Sequence, residues 1–158
     1  MNDHQVLVLL GSESDRKVME AALPYFDYFG IRADVKVSSA HRNPAATSRL
    51  ASEARENGYK AIICAAGMAA HLAGVCAAHS DLPVIGVPLS GGAQDGLDAL
   101  FSTVQMPSGI PVATFAIGKA GAINSAVFCA RLFSLTDPKM LEKLSKFRKM
   151  GSILTDAQ

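Results

Sequence analysis

The 158 residues and 16.6 kDa of this chain suit one domain with one core, large enough to fold without disulfides or a structural metal. A formal net charge of +1 gives neither nucleic acid nor an anionic membrane the concentrated positive field it needs, which excludes both as partners and favours a small molecule. With 49% apolar residues against 18% charged, and a mean hydropathy of +0.22, the chain has apolar surface to spare for a partner subunit.

The first predicted element is the strand "QVLVLL", residues 5–10, and the start "MNDHQV" lacks the basic and apolar segments of a secretory signal. A helix is expected over 14–29, with Val18, Ala22 and Tyr25 facing inward and Gly30 stopping it. "IRADVKV" alternates apolar and polar as a second strand, and "NPAATSRLASEAREN" opens a helix with Asn43 as N-cap and Pro44 at its first position, ending at Gly58. "KAIICAA" is a third strand, "AAHLAGVCAAH" a helix of small residues, and "PVIGVP" a wholly apolar fourth strand. After the glycine-rich loop "SGGAQDG" come a short helix near 97–104, a fifth strand "PVATFAI", and a long small-residue helix "KAGAINSAVFCARLFSL". Asp137 and Pro138 open a last amphipathic helix that mixes Leu141, Leu144 and Phe147 with Lys143, Lys146, Arg148 and Lys149; its apolar stripe is expected to dock on the same or a neighbouring subunit, the alternative for such a basic helix being a membrane surface or nucleic acid. No apolar run reaches the roughly 20 residues needed to cross a bilayer. Cys64, Cys76 and Cys129 are an odd number without CxxC spacing, all in apolar contexts, which points to buried reduced thiols in a cytoplasmic protein.

Strand–helix alternation with unbroken apolar strands reads as a three-layer αβα sandwich around a parallel sheet of about five strands, built from βαβ units over the single domain 1–158. Such sheets bind ligands outside the carboxyl ends of their strands. Three turns fall there. "GSESD" follows the first strand: Ser12 and Ser14, at a helix start, suit a phosphate, and the carboxylate of Asp15 suits ribose hydroxyls beside it. The same residues equally read as a helix cap and its complementary charge. "SSAHRNP" follows the second strand, where Ser39 and Ala40 precede His41, the side chain suited to moving protons near neutral pH, and Arg42, a fixed fork of donors for phosphate. "GMAAHLAG" follows the third strand, where the small residues Gly67, Ala69 and Ala70 let a flat ligand approach and His71 reads either as a site residue or as a partly buried structural histidine. Neither the P-loop nor the spaced-glycine dinucleotide pattern is present. Asp98, Gln105 and Met106 read as packing and subunit contact, and Lys119 as solvated. Small-residue stretches at 65–78 and 120–130 suit close helix packing between subunits.

Taken in order and spacing with "PVIGVP" and "LDALFSTVQMPSGIPVATFAIGKAGAINSA", these motifs closely resemble the 5-(carboxyamino)imidazole ribonucleotide mutase family of purine biosynthesis, which also holds the catalytic subunit of phosphoribosylaminoimidazole carboxylase. The likeness runs from about residue 6 to about residue 133. It implies a flavodoxin-like fold, a homo-octamer, and catalysis with no metal, ATP, biotin or other cofactor. It implies further that Ser12, Ser14, Asp15 and Arg42 hold the ribose phosphate, that His41 is the general acid and base, and that Ala70, His71 and Leu72 line the aminoimidazole end. This chain departs from the pattern at Met68, where the family has a second glycine, and in the loop "LSGGAQDG". A second branch carboxylates aminoimidazole ribonucleotide directly with carbon dioxide; intact SAHR and AAHL stretches resemble the mutase branch. A flavodoxin-like binding module without chemistry is the alternative from another class.

Overall fold

The structure is a computed structural model and describes residues 4–154. Five strands, β1 Gln5–Leu10, β2 Arg32–Val37, β3 Ala61–Gly67, β4 Val84–Leu89 and β5 Ala113–Thr114, form one sheet in the order β2-β1-β3-β4-β5 with every pairing parallel. This is the flavodoxin order, and its direction reverses between β1 and β3. The helices are α1 Arg16–Met19, α2 Leu23–Phe29, α3 Pro44–Ser52, α4 Leu72–His79, α5 Leu97–Val104, α6 Lys119–Ser134 and α7 Pro138–Lys149.

Side chains alternate across a strand, and that period of two sorts the central strands into two cores. Val6, Val8, Leu10, Ile63, Ile85 and Val87 pack under α2, α6 and α7 with Phe26, Phe29, Cys129 and Phe133; Leu7, Leu9, Ile62, Cys64 and Val84 pack under α3 and α4 with Ala51, Leu72 and Cys76. Both faces of β1, β3 and β4 are covered, hence their unbroken apolar sequence. All three cysteines are free and buried. No helix among the described residues is long and apolar enough to cross a membrane.

Several local expectations are corrected. The helix expected over 14–29 is interrupted: a 3₁₀ turn at Glu13–Asp15 leads into α1, a second at Glu20–Ala22 follows, and α2 restarts with Pro24 in its first turn. Pro24 has no N–H to bond the carbonyl of Glu20, so the continuous ladder fails there. Gly30 does stop α2, in the left-handed region at φ 70°. The fifth strand shrinks to two residues because Pro88 of β4 accepts from the N–H of Gly118 at 2.9 Å but has no N–H to return. Ala65–Gly67 belong to β3, so the small-residue helix begins only at Leu72. On α7 the inward stripe is Met140, Leu144 and Phe147; Leu141 is 55% exposed. That stripe does dock on its own chain, where Phe147 meets Tyr25 and Phe29 edge-on at centroid distances of 5.9 and 5.3 Å. Asp137 caps α7 by accepting from the Lys139 N–H at 2.9 Å and also bonds His4 Nε2 at 2.8 Å, tying the start of β1 to the start of the last helix.

Candidate active site

The strand order places the loops after β1, β2, β3 and β4 around one cavity of about 450 Å³ at the carboxyl edge. Its wall includes Ser12, Ser14, Asp15, Ser39, Ala40, His41, Arg42, Gly67, His71 and Leu72. Ala70 is not on that wall: it is buried, and its carbonyl accepts from the Thr103 hydroxyl at 3.3 Å, while its neighbours Ala69 and His71 face the cavity.

Each loop is held by local bonds. Gly11 donates to the Ala65 carbonyl at 2.9 Å, and a Cβ there would meet the Cβ of Ala66 at 3.2 Å, so the turn out of β1 lies tight against β3. In the turn that follows, the carboxylate of Asp15 accepts from the Ser12 N–H at 2.9 Å, and the Ser12 hydroxyl oxygen accepts from the Ser14 hydroxyl at 3.0 Å. This is a capping box, so in the free protein the helix-cap reading of these residues holds. Burial raises the carboxyl of Asp15 above its ordinary value, opposed by its bonds to the Ser12 N–H and the Ser14 hydroxyl. A charge kept partly dry at a cavity wall favours any ligand hydroxyl that donates to it.

The loop after β2 hangs on a buried hydroxyl pair that sequence reading passed over: Ser38 Oγ and Thr47 Oγ1 lie 2.7 Å apart, and Thr47 also donates to the Asn43 carbonyl at 3.1 Å. Asn43 occupies the N-cap of α3, but its side chain accepts no capping bond; the Ser39 hydroxyl instead accepts from the Arg42 N–H at 3.3 Å. Arg42 is exposed, and its guanidinium enters no ion pair among the described residues.

Two tight turns follow β3, with the Ala70 N–H donating to the Met68 carbonyl and the His71 N–H to the Ala69 carbonyl, each at 2.9 Å. They deliver His71 to the N-cap of α4, beside the positive end of that helix. His71 Nδ1 then shares a hydrogen bond of 2.9 Å with His41 Nε2, the rings standing edge to face at 5.1 Å. Only one nitrogen of such a bond carries the proton, so the pair cannot hold two imidazolium cations in this arrangement. The expectation that left His71 open between site and structure is thus narrowed: its ring faces the cavity and the other imidazole. Met68 takes the left-handed conformation at φ 56°, which costs a non-glycine residue about 1 kcal/mol.

A larger groove of about 1210 Å³ lies alongside, sharing Val18 and Ser90 with the first cavity and lined by Lys17, Tyr28, Lys119, Ile123 and Met150. Size favours this groove, but it holds no histidine, whereas the smaller cavity joins two imidazoles and a guanidinium. Among the described residues no group of three or more His, Cys, Asp or Glu side chains converges as metal ligands would.

Fold and cavity together define a doubly wound α/β protein with its small-molecule cleft at the β1/β3 switch point. Residues 5–152 match the AIR carboxylase family. The N5-carboxyaminoimidazole ribonucleotide mutase of Escherichia coli (strain K12) is 45% identical over 148 residues, covering 94% of this chain and 88% of that protein. The protein of the same name from Bacillus subtilis (strain 168) is 46% identical over 142 residues, covering 90% of this chain and 88% of its own. The crystal structure of Treponema denticola PurE aligns with a TM-score of 0.84 at 26% identity, covering 94% of this chain and 91% of that one. The chain belongs to the AIR carboxylase family.

Proposed function

We propose that this protein acts as a single domain to isomerise 5-carboxyamino-1-(5-phospho-D-ribosyl)imidazole to 5-amino-1-(5-phospho-D-ribosyl)imidazole-4-carboxylate in purine (IMP) biosynthesis. The observation that carries the reading is the convergence of His41, Arg42 and the Ser12–Asp15 turn on one cavity. Arg42 and the serine turn take the phosphate by charge-assisted bonds, and Asp15 takes a ribose hydroxyl. The aminoimidazole then lies toward Gly67, His71 and Leu72.

The imidazolium of His41 gives a proton to the exocyclic nitrogen as the carbamate C–N bond breaks; the bonding pair stays on nitrogen and carbon dioxide is released. Ring carbon 4 attacks the carbon dioxide, and the neutral imidazole removes the C4 hydrogen as a proton, restoring both the aromatic ring and the imidazolium. One histidine thus serves as acid and then base, and it ends each cycle as it began. His71 engages Nε2 of His41 in the free site and so fixes the ring from which the proton leaves. Holding the nucleotide and the released gas together supplies much of the rate.

Purified protein given the carboxyamino nucleotide, without ATP and with a chelator present, should form the 4-carboxylate, followed by absorbance. Formation only from aminoimidazole ribonucleotide and bicarbonate would select direct carboxylation instead; ligand-raised melting without turnover would select a binding module. Cytoplasmic placement and assembly into eight copies belong to the same proposal. Leu97, Phe101 and Val104 support the assembly, because they form an exposed apolar stripe on α5 at helical spacing; sedimentation tests the number of copies.

A further inference from the structure

Among the described residues the buried polar side chains are Ser38, Thr47, Thr103 and Ser125, and the first three tie down the two loops that carry the imidazoles. Association with other subunits can only bury them further. A hydroxyl withdrawn from water destabilises the core unless it is bonded, so its bond fixes its place. Under His41 the bonds close a ring. Thr47 gives its single hydroxyl proton to the Asn43 carbonyl at 3.1 Å, so in the 2.7 Å contact Ser38 donates and Thr47 accepts. The Asn43 N–H donates to the Ser39 carbonyl at 2.8 Å, joining the far end of the loop to its start. Ser38 is fixed in turn to β1, because its N–H donates to the Leu10 carbonyl at 2.9 Å, where that strand leads into the Ser12 turn. Ala40, His41 and Arg42 project from this ring to the cavity wall. Under His71 the Thr103 hydroxyl of α5 lies 3.3 Å from the Ala70 carbonyl and 2.8 Å from the Ala99 carbonyl, and a Cβ on Gly86 would collide with its methyl. One proton serves both carbonyls, so the tie to Ala70 is the looser of the two anchors.

Proton transfer depends on the position of the imidazole more steeply than phosphate binding depends on the position of this loop. In the proposed mechanism the phosphate is shared between the Ser12 turn, on a different loop, and Arg42, whose long stem adapts to a shifted backbone. His41 must instead come within hydrogen-bond reach of the exocyclic nitrogen and then of the C4 hydrogen, on a short side chain with little slack. We infer that Ser38, Thr47 and Thr103 are positioning residues that set the His41–His71 geometry from beneath the cavity, and that they act on turnover more than on nucleotide affinity. This role rests on the reading of His41 as acid and base.

The test is steady-state kinetics with the carboxyamino nucleotide, below the melting range of every variant, for Thr47→Val, Thr47→Ser, Ser38→Ala and Thr103→Val. Thr47→Val keeps the shape but leaves the Ser38 hydroxyl without an acceptor, and should lower kcat about tenfold with KM within about twofold of wild type. Thr47→Ser keeps the bond and should restore kcat. Ser38→Ala leaves Thr47 donating to Asn43, and Thr103→Val breaks the looser anchor, so each should lower kcat by only about threefold. A folded Thr47→Val that melts lower yet keeps wild-type kcat, or that raises KM instead, would overturn the inference and leave the hydroxyls as stabilising groups. Thr47→Ser as slow as Thr47→Val would overturn it too, since the methyl would then be the group that matters. If Thr47→Val does not fold, Ser38→Ala decides by the same split between kcat and KM. Absence of 4-carboxylate from the wild type would overturn the mutase reading itself, a result that no change confined to the variants can give.

Discussion

Two paired histidines, at opposite edges of the same sheet, sit in different surroundings. His4 is mostly buried, stacked on Phe133 at 4.7 Å and bonded to the carboxylate of Asp137. His41 is exposed to a cavity and bonded to a second imidazole. A carboxylate partner and an aromatic lid hold a ring in one place, as a staple between β1 and α7. An imidazole partner in an open cavity leaves a proton that can change hands. Partner and exposure, more than residue type, separate the staple from the proposed proton carrier.

Substitutions can break this contrast, and the largest effect is expected at His41. His41→Asn keeps much of the shape but cannot shuttle a proton, so kcat should fall about a thousandfold while binding of the product nucleotide, read by calorimetry, persists. Arg42→Ala should act on binding first, raising KM about tenfold or more with a smaller change in kcat. Thr47→Val leaves the buried Ser38 hydroxyl without its partner and should cost about 1–3 kcal/mol of stability by denaturant melts, loosening the loop that carries His41. At the other edge, His4→Ala should lower the melting temperature and leave kcat/KM at moderate temperature unchanged.

Acid sharpens the same contrast. The His4 hydrogen bond, chiefly, holds the carboxyl of Asp137 below its ordinary value, with the N–H groups of Lys139 and Met140 adding to it. A lowered acid contributes stability that is full above its unfolded value, near pH 4, and is lost as pH falls through the lower folded value. The melting-temperature gap between wild type and Asp137→Asn should therefore be constant at neutral pH and close only below about pH 4.

Much of the architecture was legible because it follows from one-dimensional pattern. Apolar runs in β1, β3 and β4 marked central strands, and the carboxyl-edge rule then put Ser12, His41 and His71 on one rim. Pro24 and Pro88 were visible too, but their consequences depend on which partner loses an N–H, and that requires the neighbouring element. The bond between His41 and His71 spans 30 positions and rests on two successive tight turns that spacing does not reveal. Asp15 shows the limit from the other side: its carboxylate suits a ribose and a cap equally well in sequence, and in the free protein it caps.

The central claim is that phosphate anchor and imidazole address one small molecule in the smaller of two adjoining cavities. A crystal structure with the 4-carboxylate nucleotide bound tests it most directly. The account predicts the phosphate against the Ser12 turn and Arg42, with carbon 4 of the ring beside His41. Nucleotide seated instead in the groove of Lys17 and Lys119, with the His41–His71 bond undisturbed, would contradict it.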